Sequence, residues 1–249
     1  MVTRELSIRI AYLYPRYLNI YGNGGNVLAL EKRCLWRGIR VDVVDIDVDE
    51  SINISDFDII FVGGRLNKKL QYVAQKIVAY KTQFQEEAIS GRVFFGVDGG
   101  YQLFGKYLTL ENKEKVEGLG ILDIYTELGQ SNFVGNLVGN SPIIPSGKFV
   151  GFENHSTLTY IESGTVQLGD VVTGFGNNGV DKTEGAVKNN VFGTYLHGAF
   201  LPKNPEFADL LITKALERKY NDNIVLTPLE DTIEKELQLQ LCNKQIERR

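Results

Sequence analysis

Between Val93 and Gly105 the chain carries a run of apolar residues long enough for one strand, then Asp98-Gly99-Gly100, then the start of an amphipathic helix. A strand with no polar face belongs inside a parallel sheet covered by helices on both sides. The tight turn after such a strand is where α/β enzymes raise a nucleophilic side chain, with the next N–H groups facing a developing oxyanion. The side chain raised here is the carboxylate of Asp98.

The rest of the first half repeats the strand-helix alternation that builds a parallel sheet. Residues 7–14 read as a strand, 26–37 as a helix ending near Gly38, 40–46 as a second strand, and 58–62 as a short buried strand running into Gly63-Gly64. Leu70, Val73, Ile77 and Phe84 recur near helical spacing and predict one long helix from about Lys68 to Ile89, stopped by Ser90-Gly91. After Gly118 the texture changes to short β-rich segments at 119–128, 132–138, 148–153 and 165–175, which read as antiparallel strands. Residues 191–196 predict a strand ending at His197, and 204–218 a helix with Phe207, Leu210, Leu211 and Ala215 inward. Leu229, Ile233, Leu237 and Leu241 form a stripe in the tail that predicts a docking helix.

A net charge of -4 without a Lys/Arg stripe argues against nucleic acid or an anionic membrane as the main partner. No run reaches transmembrane length and residues 1–5 lack a signal-peptide core, so the expectation is a cytoplasmic protein with no membrane span. Cys34 and Cys242 have no second Cys or His at metal-ligand spacing, so neither a disulfide framework nor a metal site is expected. Cys34 shares a helix face with Val27 and Leu30 and reads as a small buried hydrophobe, whereas Cys242 reads as a bystander in a charged helix.

The chain has two histidines, and His197 ends a strand in Gly193-Thr194-Tyr195-Leu196-His197-Gly198, where a general base would meet a nucleophile from a neighbouring strand. With the turn at Asp98, and with Phe61-Val62-Gly63-Gly64, Glu117-Gly118-Leu119-Gly120, Gly151-Phe152-Glu153-Asn154-His155 and Gly174-Phe175-Gly176-Asn177-Asn178, the sequence resembles the class I glutamine amidotransferases. The resemblance is to the branch shared by cobyric acid synthase domains and the small subunit of lipid II isoglutaminyl synthase.

That resemblance implies a flavodoxin-like α/β fold, a central mostly parallel sheet flanked by helices with an antiparallel β extension. Residues 1–220 would form the amidotransferase-like domain and 221–249 a C-terminal helical tail. It implies a glutaminase that needs no cofactor, binds glutamine, and passes ammonia to a Mur-ligase-like ATP-dependent amidoligase in a heterodimer that amidates the D-glutamate of the peptidoglycan stem. In the family a Cys at position 98 attacks the glutamine amide, His197 moves the proton, and the Gly99 N–H with the segment at Gly63 and Gly64 forms the oxyanion hole. Gln102 would line the site, Asn132 stands where an Arg commonly holds the glutamine carboxylate, and Glu153 is the carboxylate candidate to orient His197.

Asp98 departs from that pattern, and so do Arg65-Leu66-Asn67 after the glycine pair, Asn132, Ser156-Thr157-Leu158 after Asn154-His155, and Gly22-Asn23-Gly24-Gly25 near the start. A carboxylate attacking an amide would give a mixed anhydride whose carboxylate leaves more readily than the amine, so the intermediate collapses backwards. The expectation is an amidotransferase-like subunit whose glutaminase activity is lost or altered. In that site Asp98 and His197 would pair as opposite charges, with Arg65 adding a second cation. The alternatives are a hydrolase using Asp98 as nucleophile on a non-amide substrate, an amino-acid-binding or scaffold module without turnover, and Asp98 as a plain helix cap.

Overall fold

A computed structural model describes residues 5–19, 21–64, 68–110 and 113–246. Its elements run β1 (Ser7–Leu13), α1 (Pro15–Leu18), α2 (Gly24–Leu35), β2 (Arg40–Ile46), β3 (Ile59–Val62), α3 (Lys68–Ile77), α4 (Lys81–Ile89), β4 (Val93–Val97) and α5 (Gly99–Phe104). There follow β5 (Tyr107–Thr109), β6 (Lys115–Glu117), β7 (Ile124–Asn140), β8 (Lys148–Ile161), β9 (Gly169–Thr173), β10 (Thr183–Glu184), β11 (Ala186–Lys188) and β12 (Val191–Thr194). The helices α6 (Phe200–Lys203), α7 (Pro205–Tyr220) and α8 (Thr232–Ile246) close the chain.

The first sheet has the order β11-β12-β4-β3-β1-β2, parallel except for the β11 edge. This is the flavodoxin-like order with β12 as the fifth parallel strand. The apolar runs are apolar because both faces of the sheet are covered. Phe94 points to one side, among Leu70, Val73, Ile77 and Phe84; Val93, Phe95 and Val97 point to the other, among Phe207, Leu211 and Leu216 of α7. Val27, Leu30 and Cys34 are buried on that second side, as the helical spacing of α2 predicts. Burial pushes the Cys34 thiol up to about 12, so it behaves as a hydrophobe.

The second sheet, β10-β9-β7-β5-β6 with β8 on β7, is the β extension, antiparallel except where β5 runs parallel to β7. Here the sequence reading is corrected. Residues 124–140 form one strand rather than two, and the Gly129 to Asn132 stretch marks a register shift between Leu128 and Phe133 instead of a turn. The partner strand β8 likewise continues past Glu153 to Ile161. The long helix expected over 68–89 is split by a 3-10 turn at Val78–Tyr80, which brings the half-buried Tyr80 ring against the core beside α4.

The tail is also corrected. The helix docks with only part of the predicted stripe: Ile233 is 79% and Leu237 43% exposed, whereas Leu241 packs with Cys242, read as a bystander, against Val138 and Val150. Polar anchors set this rotation. Arg33 of α2 forms paired hydrogen bonds to Asp209 of α7 (2.6 and 2.8 Å) and to Asp231 just before α8 (2.7 and 2.9 Å), and Gln238 reaches the Lys148 carbonyl at 3.4 Å. Such forked guanidinium-carboxylate bonds hold geometry as well as charge.

Removing one carboxylate from a buried cation leaves that charge undercompensated. With Asp209 still in place, Asp231→Ala is expected to cost about 2 kcal/mol, less than the full loss of a buried pair. Urea unfolding read at two probes, one on α8, checks this; an unchanged midpoint would contradict it.

Candidate functional site at the carboxyl edge of the parallel sheet

Three neighbouring parallel strands, β3, β4 and β12, end at the same edge, where open α/β sheets place their ligands. Gly63-Gly64 follows β3, Asp98 follows β4, and His197 lies three residues beyond β12, whose Thr194 is in register with Val97. The structure thus brings together Gly63, Gly64, Asp98, Gly99, Gln102 and the His197 segment. Asn132 is exposed, in the register shift of β7, one residue before Phe133, which pairs with His155 across the strands. Arg65 lies outside the described residues.

Asp98 has φ 50 and ψ -107, a conformation that non-glycine residues rarely adopt. Holding it costs on the order of 1–3 kcal/mol, which the surrounding packing must offset. The packing is close. A Cβ on Gly100 would lie 2.0 Å from the Val62 carbonyl oxygen, and one on Gly193 2.0 Å from the Tyr101 ring, so α5 can rest on the sheet only with glycine at both positions. Asp98 is 1% exposed, and its side chain makes no hydrogen bond to the first turn of α5, which removes the plain-cap reading. Its N–H donates to the Thr194 carbonyl at 2.8 Å.

The Gly99 N–H, expected to face an oxyanion, donates to the Gly64 carbonyl at 3.2 Å. Gly64 itself has φ +128, which favours glycine there. The ring of His197, 3% exposed, stacks on Tyr21 with centroids 4.7 Å apart and meets the edge of Phe152, while its backbone N–H donates to the Phe152 carbonyl at 2.9 Å.

Behind Asp98 runs a buried seam of polar side chains. Gln102 Nε2 donates to Thr157 Oγ1 at 3.1 Å and, more weakly, to Asp98 Oδ1 at 3.4 Å. Thr157 Oγ1 bonds the Tyr195 hydroxyl at 3.0 Å, which also bonds Thr159 Oγ1 at 2.6 Å, and Thr159 bonds Thr126 at 2.8 Å. Burial raises the Tyr195 phenol well above its ordinary range, so it stays a neutral hydroxyl. Tyr101 turns away from this seam and donates to Asn177 Oδ1 at 3.1 Å.

Glu153, the carboxylate expected to orient His197, is fully buried and held by backbone amides. Its carboxylate accepts the N–H groups of Phe175 (2.7 Å) and Gly176 (2.8 Å) and lies 3.9 Å from His155 Nε2. His155 Nδ1 is 2.8 Å from the Thr157 carbonyl and so carries the proton, and its ring stacks on Tyr195 at 3.7 Å. At 3.9 Å the carboxylate makes no hydrogen bond to the imidazole, and burial prevails, pushing His155 down to about 4 and leaving it neutral. Sequence reasoning missed Glu184 altogether. It is fully buried, accepts from Thr194 Oγ1 at 2.6 Å and from the Tyr195 N–H at 2.9 Å, and is pushed up to about 8, chiefly by burial. Among the described residues no cluster of His, Cys, Asp or Glu is arranged to hold a metal ion, and no helix is long and apolar enough to cross a membrane.

Two of these groups link stability to pH with opposite sign. Folded Glu184 keeps its proton up to about 8, but the unfolded chain releases it near 4.5, so stability falls as pH rises through that window. Folded His155 stays neutral down to about 4 while the unfolded chain takes up a proton near 6.5, so stability falls as pH drops through that window. Where the windows overlap the slopes cancel, and from pH 6.5 to 8 the Glu184 slope stands alone. At ~1.4 kcal/mol per pH unit the unfolding free energy is expected to drop by about 2 kcal/mol across that interval, and Glu184→Gln to flatten it. Urea titrations at the two pH values decide this; an equal drop in the variant would refute it.

Comparison with known proteins agrees with this geometry. Residues 9–205 match the family model described as CobB/CobQ-like glutamine amidotransferase domain. The chain is 42% identical over 222 residues to the GatD subunit of lipid II isoglutaminyl synthase (glutamine-hydrolyzing) from Staphylococcus aureus, covering 89% of this chain and 88% of that one. It is 34% identical to the GatD subunit from Streptococcus pneumoniae (92% and 88%) and 32% identical to a probable cobyric acid synthase from Methanocaldococcus jannaschii (79% of this chain, 42% of that one). In fold it resembles a glutamine amidotransferase from Thermotoga maritima, with TM-score 0.54, 15% identity and 97% of both chains covered.

Proposed function

The chain belongs to the CobB/CobQ-like glutamine amidotransferase family, and from that premise we propose that it is the amidotransferase-like subunit of a two-subunit amidating enzyme whose inherited glutaminase site is disabled at its nucleophile. The observation that carries the reading is Asp98 itself. The strained backbone that raises a nucleophile is kept at φ 50, while the atom raised is a carboxylate oxygen. Strain of this kind persists where the surrounding structure over-determines it, and here the fixed glycines of α5 do so.

Amide hydrolysis at this position requires a covalent acyl intermediate that survives long enough for water to reach it. A thioester meets that requirement. The tetrahedral adduct formed by Asp98 attack expels the carboxylate more readily than ammonia, so it returns to amide before an anhydride can form. The bond from the Gly99 N–H to the Gly64 carbonyl adds to the effect, because one of the two amides expected to stabilise an oxyanion is already committed. Asn132, neutral and exposed, offers a ligand carboxylate no charge at the place where the family resemblance puts an arginine.

The partner inferred from the GatD-named relatives is a Mur-ligase-like ATP-dependent amidoligase acting on the D-glutamate of the peptidoglycan stem. In this pairing the subunit contributes binding surface and stability, and the ligase draws on free ammonia. The rival reading, an ester formed on Asp98 by displacement at a saturated carbon, has no observation that favours it.

Ammonia release from glutamine is the decisive measurement. The natural chain should release none above background, with or without the partner subunit. Asp98→Cys should gain turnover, and adding His197→Ala should remove a factor of roughly 10²–10⁴ of that gain. Robust turnover by the natural chain would sink the proposal, as would an ester adduct on Asp98 seen by mass spectrometry.

A further inference from the structure

The geometry points to Glu184 as the positioning residue of this site: a buried carboxyl that does not reach the reacting atoms but fixes, through Thr194, where Asp98 and the His197 segment stand relative to each other. This inference rests on the reading of Asp98 and His197 as the two working positions.

Thr194 is the shared point. Its carbonyl accepts the Asp98 N–H at 2.8 Å, and its Oγ1 accepts the Leu196 N–H at 3.0 Å, one residue before His197. A threonine hydroxyl rotates freely unless its own proton is claimed, and a rotating hydroxyl would hold Leu196 only part of the time. Glu184 Oε1 claims that proton at 2.6 Å and takes the Tyr195 N–H at 2.9 Å with the same oxygen. The hydroxyl and two successive amides are thereby locked in the three residues that lead from β12 to His197.

A second route reaches Asp98 from the same place. Tyr195, whose backbone Glu184 holds, bonds Thr157, and Thr157 receives Gln102, which also donates to Asp98. Glu184 is itself held from behind. Gly185 donates its N–H to Asn177 Oδ1 at 3.0 Å, its carbonyl accepts from Asn177 Nδ2 at 2.9 Å, and its φ of +61 turns the chain sharply after the carboxyl. The other fully buried glutamate, Glu153, spends its carboxylate on Phe175 and Gly176. A single carbonyl-type oxygen suffices for both bonds that Glu184 accepts, so glutamine in its place keeps them and alanine loses both.

Proton NMR of the imidazoles reads the consequence directly, since His155 and His197 are the only two histidines and His197→Asn assigns them. In the natural chain, Glu184→Ala is expected to shift the His197 ring resonance, and Glu184→Gln to return it toward its original position. A folded Glu184→Ala protein with His197 unmoved overturns the inference, and so does a glutamine variant displaced as far as the alanine one. Should Glu184→Ala fail to fold, Thr194→Val removes the same hydroxyl bonds while keeping shape, and an unmoved His197 there overturns it equally. The readout involves no ammonia release, so its failure is distinct from a failure of the disabled-glutaminase reading.

Discussion

Much of this structure depends on how closely α5 lies on the sheet. Its first turn touches the end of β3 where Gly100 has no Cβ, its Tyr101 ring covers β12 where Gly193 has none, and Phe104 fills the space over Gly96. A methyl group at any of the three would meet atoms at 2.0 to 2.7 Å, distances that side chains do not tolerate. With the helix pressed this near, the residue between β4 and α5 has little backbone freedom, and its unusual conformation follows from the contacts on either side. The turn is therefore a property of the frame, largely indifferent to which side chain it carries. The same frame would hold a different side chain at position 98 without a different fold.

The elements whose signals are local were legible in the sequence. Residues 93–97 had to be a strand buried on both faces because no polar face exists, and 24–35 had to bury Val27, Leu30 and Cys34 because those three share one side of a helix. The clustering of Gly63, Gly64, Asp98 and His197 followed from strand ends and was legible for the same reason. The seam from Gln102 to Thr126 was not. Thr157 and Thr159 alternate with their neighbours as solvent-facing residues would, and only the packing of β8 against the first sheet turns them inward. Glu184 gave no signal, since a lone glutamate between glycine-rich turns ordinarily faces water. The stripe in α8 misled because apolar spacing describes a face but not its direction, and Arg33, nearly two hundred residues away in the chain, decides the direction.

The interior around the site is polar yet almost wholly uncharged in its hydroxyls and rings. Tyr195 is held as a phenol, His155 as a neutral imidazole, and Glu184 in its protonated form at neutral pH, each because burial disfavours the ion more than its partners favour it. Against such a background the carboxyl of Asp98 acts on its neighbours over a longer distance than it would at the surface, because little nearby can screen it. Tyr195 registers this, with Asp98 among the causes that raise its phenol.

The Arg33 anchor has a consequence for the order in which the chain is completed. Asp209 reaches Arg33 from α7, so the cation has one carboxylate as soon as residues up to about Tyr220 are packed; Asp231, which leads into α8, supplies the second. Until then the α/β body is a finished object with a half-neutralised arginine on its flank. Helix α8 thus joins a pre-formed charge as well as a small apolar patch, and it settles with Ile233, Leu237 and Leu239 outward and with Leu241 and Cys242 against Val138 and Val150. Its attachment is the step most readily weakened by salt, in a molecule whose main core, being apolar, salt would leave intact.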